Sequence, residues 1–121
     1  MAGYETLQCN YQLVNGALYF TLAGRDFNNH RFIYFNLDTV LIKADSIYQL
    51  DDYNTKQNSG RYNSDVMYYI KGPAYRGEFN VKYFDSLKQI ISGTFWFDAV
   101  DTATNKVIQV RDGRFDVHYT R

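Results

Sequence analysis

The sequence predicts an all-β protein: a single-domain antiparallel β-sandwich of about eight or nine strands. Apolar and polar residues alternate with a period of two over much of the chain, as they do in strands that place one face in a core. Aromatic residues, which favour strands, make up 18% of the 121 residues. Turn sequences separate the alternating runs at short intervals, a spacing typical of sandwiches and, as the alternative, of calycin-like β-barrels.

Five segments carry the clearest alternation. They are residues 16–24, 31–38, 77–84, 91–99 and 114–119. Each is predicted to turn its apolar residues toward a core, so that Phe79, Val81 and Tyr83 of the third segment point inward. The stretch 38–52 has a loose helical spacing but many β-branched residues, and we predict two short strands there.

Turn-forming sequences divide these segments. Asn15-Gly16 and Asp112-Gly113 are predicted to be two-residue hairpin turns, because such turns need positive φ at their central residues, Gly113 among them. Longer connections are predicted at 51–61, 71–77, 85–89 and 101–106. The first of these is expected to be mobile, and the second holds the single proline between strands, where no ladder hydrogen bond is lost.

Composition narrows the classes of partner. Thirteen basic residues balance thirteen acidic ones, so neither nucleic acid nor an anionic membrane surface is expected, since both require a basic patch.

The single cysteine, Cys9, is predicted to be a small buried apolar residue. We predict one domain over residues 1–121. Residues 1–3 are expected to be the remnant of a trimmed start, because MAGYETLQC has no signal-peptide pattern.

The last third of the chain contains three motifs. They are GEFNVKYFD at Gly77–Asp85, ISGTFWFDA at Ile91–Ala99 and DGRFDV at Asp112–Val117. In this order they resemble the C-terminal half of a family of secreted Bacteroidetes-type lipoproteins that is described only as a domain of unknown function. The resemblance implies an all-β domain in the periplasm, on the outer membrane or outside the cell. It also implies a lipid anchor. That anchor is expected to be absent from this chain, because Cys9 follows YETLQ and not a lipidation motif.

No residue pattern predicts catalysis or a metal site. Asp51 and Asp52 lie in a polar loop without a nearby base. The two histidines, His30 and His118, form no close pair and are each expected to be solvated. Oxygen donors at 98–105 (Asp98, Asp101 and Asn105) lack the spacing of a calcium loop. We therefore predict a non-enzymatic protein with no catalytic residue, metal or cofactor.

One set of aromatic residues occupies the polar half of the alternation. It comprises Trp96, Tyr34, Tyr19, Phe32 and Tyr69, with Met67 beside them. Three explanations stay open: the strand register is misassigned or the 51–61 loop covers these residues; they form an exposed patch that binds a partner; or they line a barrel cavity.

The predicted function is therefore non-catalytic binding or scaffolding through an aromatic face of the sheet. The expected partner is a carbohydrate or another cell-envelope protein, since flat aromatic faces suit sugar rings or the sheet edge of a second protein. A lipocalin-like carrier of a small apolar ligand is the alternative, and a hydrolase is less favoured. Trp96 is the strongest single candidate for a contact with the ligand.

Overall fold

The computed structural model describes residues 5–14, 17–26, 31–38, 41–53 and 58–120. Within them nine strands form one antiparallel sheet, and no helix is present. The strands are β1 (Glu5–Val14), β2 (Ala17–Asp26), β3 (Arg31–Asp38), β4 (Ser46–Leu50), β5 (Asn58–Asn63), β6 (Met67–Tyr69), β7 (Gly77–Asp85), β8 (Ile90–Asp101) and β9 (Lys106–His118). The sheet is not closed into a barrel, so the predicted all-β sandwich is confirmed over its alternative.

The strands follow the order β1-β2-β3-β5-β6-β8-β7-β4, and β9 pairs with β8. β8 therefore connects three other strands, since it pairs with β6, β7 and β9. The end of the chain returns to the first strand through a parallel bridge between Asn10 and Thr120. There the Tyr11 N–H donates to the Thr120 carbonyl at 2.8 Å, and the Thr120 N–H donates to the Cys9 carbonyl at 2.8 Å.

Phenylalanine rings join two halves of the sheet, one that contains β3 and one that contains β7, β8 and β9. Phe35 of β3 contacts Phe79 of β7 and Phe95 and Phe97 of β8, with ring centroids 5.1, 4.7 and 5.7 Å apart. Phe115 of β9 stacks on Phe79 at 4.5 Å. All five rings are at most 5% exposed, and each contributes about 1.5–3 kcal/mol through burial. The core predicted from the alternation is confirmed at these positions.

The end of β7 departs from the predicted alternation. Its register against β8 shifts between Val81 and Tyr83, which marks a β-bulge at Lys82. One extra residue exchanges the inward and outward positions that follow it. Tyr83, predicted to lie in the core, is therefore 47% exposed. Phe84 packs against the core instead and stacks on Tyr119 at 5.5 Å.

The predicted hairpin turn at Asp112-Gly113 is wrong. Lys106–His118 is one continuous strand, and its register against β8 shifts so that Arg111 and Asp112 together face Trp96. The Asp-Gly pair belongs to a β-bulge. Bulges, like tight turns, favour residues that tolerate unusual backbone conformations.

Positive φ in this bulge falls on Asp112, at 55°, and not on Gly113. Gly113 is needed for space, because a Cβ there would stand 2.2 Å from the Phe95 ring. The prediction of positive φ at Gly113 is therefore also wrong.

Other loop predictions have mixed outcomes. Turns at 86–89 and 102–105 confirm two of the longer hairpin loops, and Pro73 lies between β6 and β7 as predicted. The predicted loop at 51–61 is wrong in its second part, because β5 begins at Asn58. In the described residues 41–52, where the prediction of two short strands falls, one strand is present, β4. The predictions for residues 1–3, Asn15-Gly16 and His30 fall outside the described residues.

Cys9 is a buried core residue, as predicted, with 6% of its surface exposed. Burial disfavours the thiolate and raises the pKa of the thiol from its ordinary value of 9.0 to about 12. A group whose pKa is higher in the folded state contributes its stabilisation fully below the unfolded value. That contribution is lost as pH rises from 9.0 toward about 12.

We expect the native Cys9 thiol to resist an aromatic disulfide reagent at pH 8, because only the thiolate attacks. One thiol per chain should react once a denaturant unfolds the protein. The measurement is the absorbance of the released aromatic thiol, with and without guanidinium. A Cys9→Ser variant is the control and should release none in either condition. Rapid stoichiometric release from the native protein would contradict the assignment.

Candidate functional site

The five aromatic residues predicted to bind a ligand are all half-buried. They point away from the core, since inward neighbours such as Phe20, Phe35 and Phe95 are buried. The register is thus as predicted, and the aromatic residues do not line an internal cavity. In the described part of the 51–61 segment, Tyr53 packs on Tyr69 with ring centroids 4.5 Å apart.

These residues fall into two regions of the outer face. Tyr19 lies on β2, Phe32 and Tyr34 lie on β3, and Tyr69 lies on β6, in the part of the sheet where β2, β3, β5 and β6 are consecutive. Trp96 lies on β8, where its cross-strand neighbours come from β7 and β9. The sequence did not indicate this separation, because strand order depends on pairing over long sequence distances.

Three of the five rings are covered by an arginine from the neighbouring strand. The guanidinium carbon lies 4.8 Å from the ring centroid for Arg25 on Phe32, 4.5 Å for Arg61 on Tyr34 and 5.0 Å for Arg111 on Trp96. The first two pairs are direct cross-strand partners, and the third meets at the β9 bulge. Each such contact is worth roughly 0.5–1 kcal/mol at an exposed site. The arginines explain how large aromatic side chains are accommodated on the outer face.

Trp96 is held by several neighbours. Its Nε1–H donates to Glu78 Oε1 at 3.0 Å, while Arg111 covers the ring and donates to Asp98 Oδ1 at 2.6 Å. The one indole donor and one side of the ring are therefore engaged within the protein. Beside Trp96 lies an open groove of about 550 Å³ whose walls include Thr94 and Arg114. The role of Trp96 as a ligand contact stays a prediction.

A second groove, of about 360 Å³, lies on the outer face of β2, β3 and β5, and we call it the tyrosine groove. It is lined by Tyr19, Thr21, Tyr34, Asn36, Asp38, Tyr53, Ser59 and Arg61. The residues on the three strands occupy alternate positions, and the register places them in cross-strand pairs such as Thr21 with Asn36. The groove therefore follows directly from the period of the strands.

The polar groups of the tyrosine groove differ in how far the protein already uses them. Asn36 Nδ2 donates to Asp38 Oδ1 at 3.2 Å, and the Ser59 hydroxyl donates to the Asp51 carbonyl at 2.9 Å. Thr21 Oγ1 is buried and has no hydrogen-bond partner among the described residues. Buried polar atoms are normally hydrogen-bonded, so Thr21 Oγ1 is an exception among the polar groups of this groove.

Arg61 and Tyr53 were not predicted as site residues. Arg61 lies in β5, where the sequence NSGRYN shows little alternation, and Tyr53 precedes it in the segment predicted to be a loop. Asn36 and Asp38, by contrast, continue the outward-facing set that begins at Tyr34, and the alternation alone could have added them to the candidates.

Three of the acidic residues considered for catalysis or calcium, Asp52, Asp98 and Asp101, have structural partners. Asp52 Oδ2 accepts the Gly72 N–H at 3.0 Å, and Asp98 pairs with Arg111. Asp101 accepts the Ala103 N–H at 3.1 Å and the Thr104 hydroxyl at 2.7 Å, which fixes the β8–β9 loop. Within the described ranges, no three histidine, cysteine or acidic side chains are grouped to hold a metal ion. His118 is exposed, as predicted.

Comparisons with family models, with curated proteins and with solved structures give no match to this chain. The resemblance of the C-terminal motifs to secreted lipoproteins therefore stays a prediction. In the described part of the chain, no helix has the length and apolar character needed to cross a membrane.

Proposed function

We propose that this protein is a non-catalytic carbohydrate-binding module, acting at the cell envelope or outside the cell, with the tyrosine groove as its binding site. The observation that carries the proposal is the make-up of this groove. Three tyrosines lie beside the buried Thr21 hydroxyl, which lacks a partner among the described residues, and beside the amide of Asn36 and the carboxylate of Asp38. Aromatic rings can pack on the apolar faces of sugar rings, while the polar groups accept and donate hydrogen bonds to sugar hydroxyls.

The size and position of the groove support the same proposal. Its volume of about 360 Å³ is within the range of roughly 300–1,000 Å³ found for small-molecule sites. The core between the two halves of the sheet is filled by phenylalanine rings in mutual contact, which favours binding on the outer face over transport in an internal cavity. The resemblance to secreted lipoproteins supports the proposed location.

Binding can be tested by titrating a panel of neutral and acidic oligosaccharides into the isotope-labelled protein. We expect chemical-shift changes at Tyr19, Thr21, Tyr34 and Asn36. Emission from Trp96, the only tryptophan, should stay constant, because it lies in the other region. Tyr19→Ala should weaken the affinity at least tenfold, since Tyr19 supplies a wall of the groove.

The matched control is Tyr83→Ala, which removes an exposed tyrosine on β7 and should leave the affinity unchanged. Two outcomes would contradict the proposal. One is the absence of shift changes with every oligosaccharide. The other is a change in Trp96 emission without changes in the tyrosine groove, which would transfer the binding site to β8 and β9.

A further inference from the structure

Arg61 distinguishes the tyrosine groove from a site for a purely neutral sugar. Its guanidinium is stacked on Tyr34, and its cross-strand neighbours on the two sides are Tyr34 and Tyr69. An arginine held in this way loses less conformational freedom when it binds, and its N–H groups remain available in the plane of the guanidinium.

No acidic side chain of the described ranges pairs with the Arg61 guanidinium. Among the described residues, the Arg61 side chain makes no ion pair and no hydrogen bond, and its guanidinium stacks on the Tyr34 ring. Arg111, the corresponding arginine on Trp96, differs in this respect because it is paired with Asp98 at 2.6 Å. A half-buried guanidinium with unused donors is suited to a carboxylate, which it can bind through two parallel hydrogen bonds.

The one carboxylate in the groove, Asp38, lies in a different cross-strand row. Tyr34 pairs with Arg61, whereas Asp38 pairs with Tyr19, four positions along β3. At about 3.3 Å per residue this separation is about 13 Å along the strand. Asn36, between them, donates its amide to Asp38. The groove therefore has a cationic end at Arg61 and a hydrogen-bonding end that accepts from hydroxyls.

We infer that the carbohydrate bound by the tyrosine groove contains a uronic acid, whose carboxylate is bound by Arg61. The inference rests on the proposed function and adds the class of sugar. The uronate carboxylate would occupy the Arg61 end, and the ring hydroxyls would lie toward Thr21, Asn36 and Asp38. Because the chain has equal numbers of acidic and basic residues, this preference would come from one site and not from a general attraction for polyanions.

The ligands for the test are galacturonate, glucuronate and mannuronate oligosaccharides, each compared with its own methyl ester. The ester keeps the ring and hydroxyls but removes the negative charge. We expect at least one uronate to bind with shift changes in the tyrosine groove, and its ester to bind at least tenfold more weakly. A preference for sulfated oligosaccharides over all uronates would overturn the assignment of a carboxylate.

Variants of Arg61 assign the preference to that residue. Arg61→Gln should remove the difference between acid and ester, and Arg61→Lys, which keeps the charge without the planar fork, should retain part of it. The matched control is Arg114→Gln, an exposed arginine on β9, which should bind the uronate like the wild type. Loss of binding in that control, with Arg61→Gln unaffected, would overturn the inference.

The inference and the proposed function fail in distinguishable ways. Equal binding of acid, ester and neutral sugar in the tyrosine groove would refute the uronate preference and leave the carbohydrate-binding function standing. Absence of binding by every sugar would refute both. The comparison of acid with ester uses the wild-type protein, so it holds even where an Arg61 variant fails to fold.

Discussion

Replacing Phe35 with alanine is expected to lower the free energy of unfolding by about 3–5 kcal/mol, the cost of removing a fully buried ring and leaving a cavity. Phe35 is the ring on β3 that contacts Phe79, Phe95 and Phe97 on the opposite half of the sheet. Its loss removes the central contact between the halves. Because domains of this size are stable by only about 5–15 kcal/mol, the variant loses a large part of its stability and should unfold at a clearly lower urea concentration than the wild type.

Urea unfolding followed by Trp96 emission and by circular dichroism measures this change. Leu87→Ala is the matched control, because Leu87 is 93% exposed and should change the unfolding free energy by less than about 0.5 kcal/mol. Phe35→Leu leaves a smaller cavity and should cost less than Phe35→Ala, which keeps the test informative where alanine abolishes folding. If the free energy of unfolding of Phe35→Ala lay within about 1 kcal/mol of the wild-type value, the two halves of the sheet would pack independently of this ring.

The alternating core could be predicted because it depends on strand geometry alone. A period of two places Phe35, Phe79 and Phe115 inward whatever strands lie next to them. The bulges at Lys82 and Arg111-Asp112 could not be predicted in this way, because a bulge is defined by the partner strand. That dependence is why the sequence pattern alone predicts a core position for Tyr83 and a turn at Asp112-Gly113.

β5 shows a second limit of sequence patterns. Its buried residues, Ser59 and Gly60, have little apolar surface of their own. Gly60 is buried because the Phe35 ring lies against it, 3.1 Å from the position that a Cβ would occupy. A strand whose burial comes from its neighbours carries no alternation of its own. The same strand supplies Arg61, so the cationic end of the tyrosine groove was also missed.

Within the candidate site, Tyr19 and Tyr34 were identified from alternation alone, and the structure places both in one groove. The separation of Trp96 from them, and the stacking of arginines on three of the rings, depend on the order of strands. These contacts change the interpretation of the outer face. On this face, arginine side chains stack on aromatic rings. Arg111 also forms an ion pair with Asp98, whereas Arg61 has no such pair among the described residues, so the positive charge available to a ligand lies in the tyrosine groove.

Replacing Gly93 with alanine is expected to destabilise the protein by more than about 3 kcal/mol or to prevent folding, although the change adds one methyl group. A Cβ at Gly93 would lie 1.8 Å from the Asn80 carbonyl oxygen, 2.9 Å from its carbonyl carbon and 2.9 Å from Phe115 Cζ. The nearest obstacle is backbone in the β7–β8 ladder, so relief requires the two strands to separate. Gly93 therefore marks a close approach of the β7 and β8 backbones.

The control for this experiment is Gly72→Ala, at which the nearest atom, Asp52 Cβ, lies 3.4 Å away, an ordinary van der Waals distance. The free energy of unfolding of that variant should lie within about 1 kcal/mol of the wild-type value. Thermal and urea midpoints of both variants, with amide hydrogen exchange in β7 and β8, separate a local opening of the ladder from global loss of stability. If Gly93→Ala kept the wild-type midpoint and full protection of the ladder, β7 and β8 could not approach as closely as described. The close pairing that positions Glu78 against Trp96 would then also be in doubt.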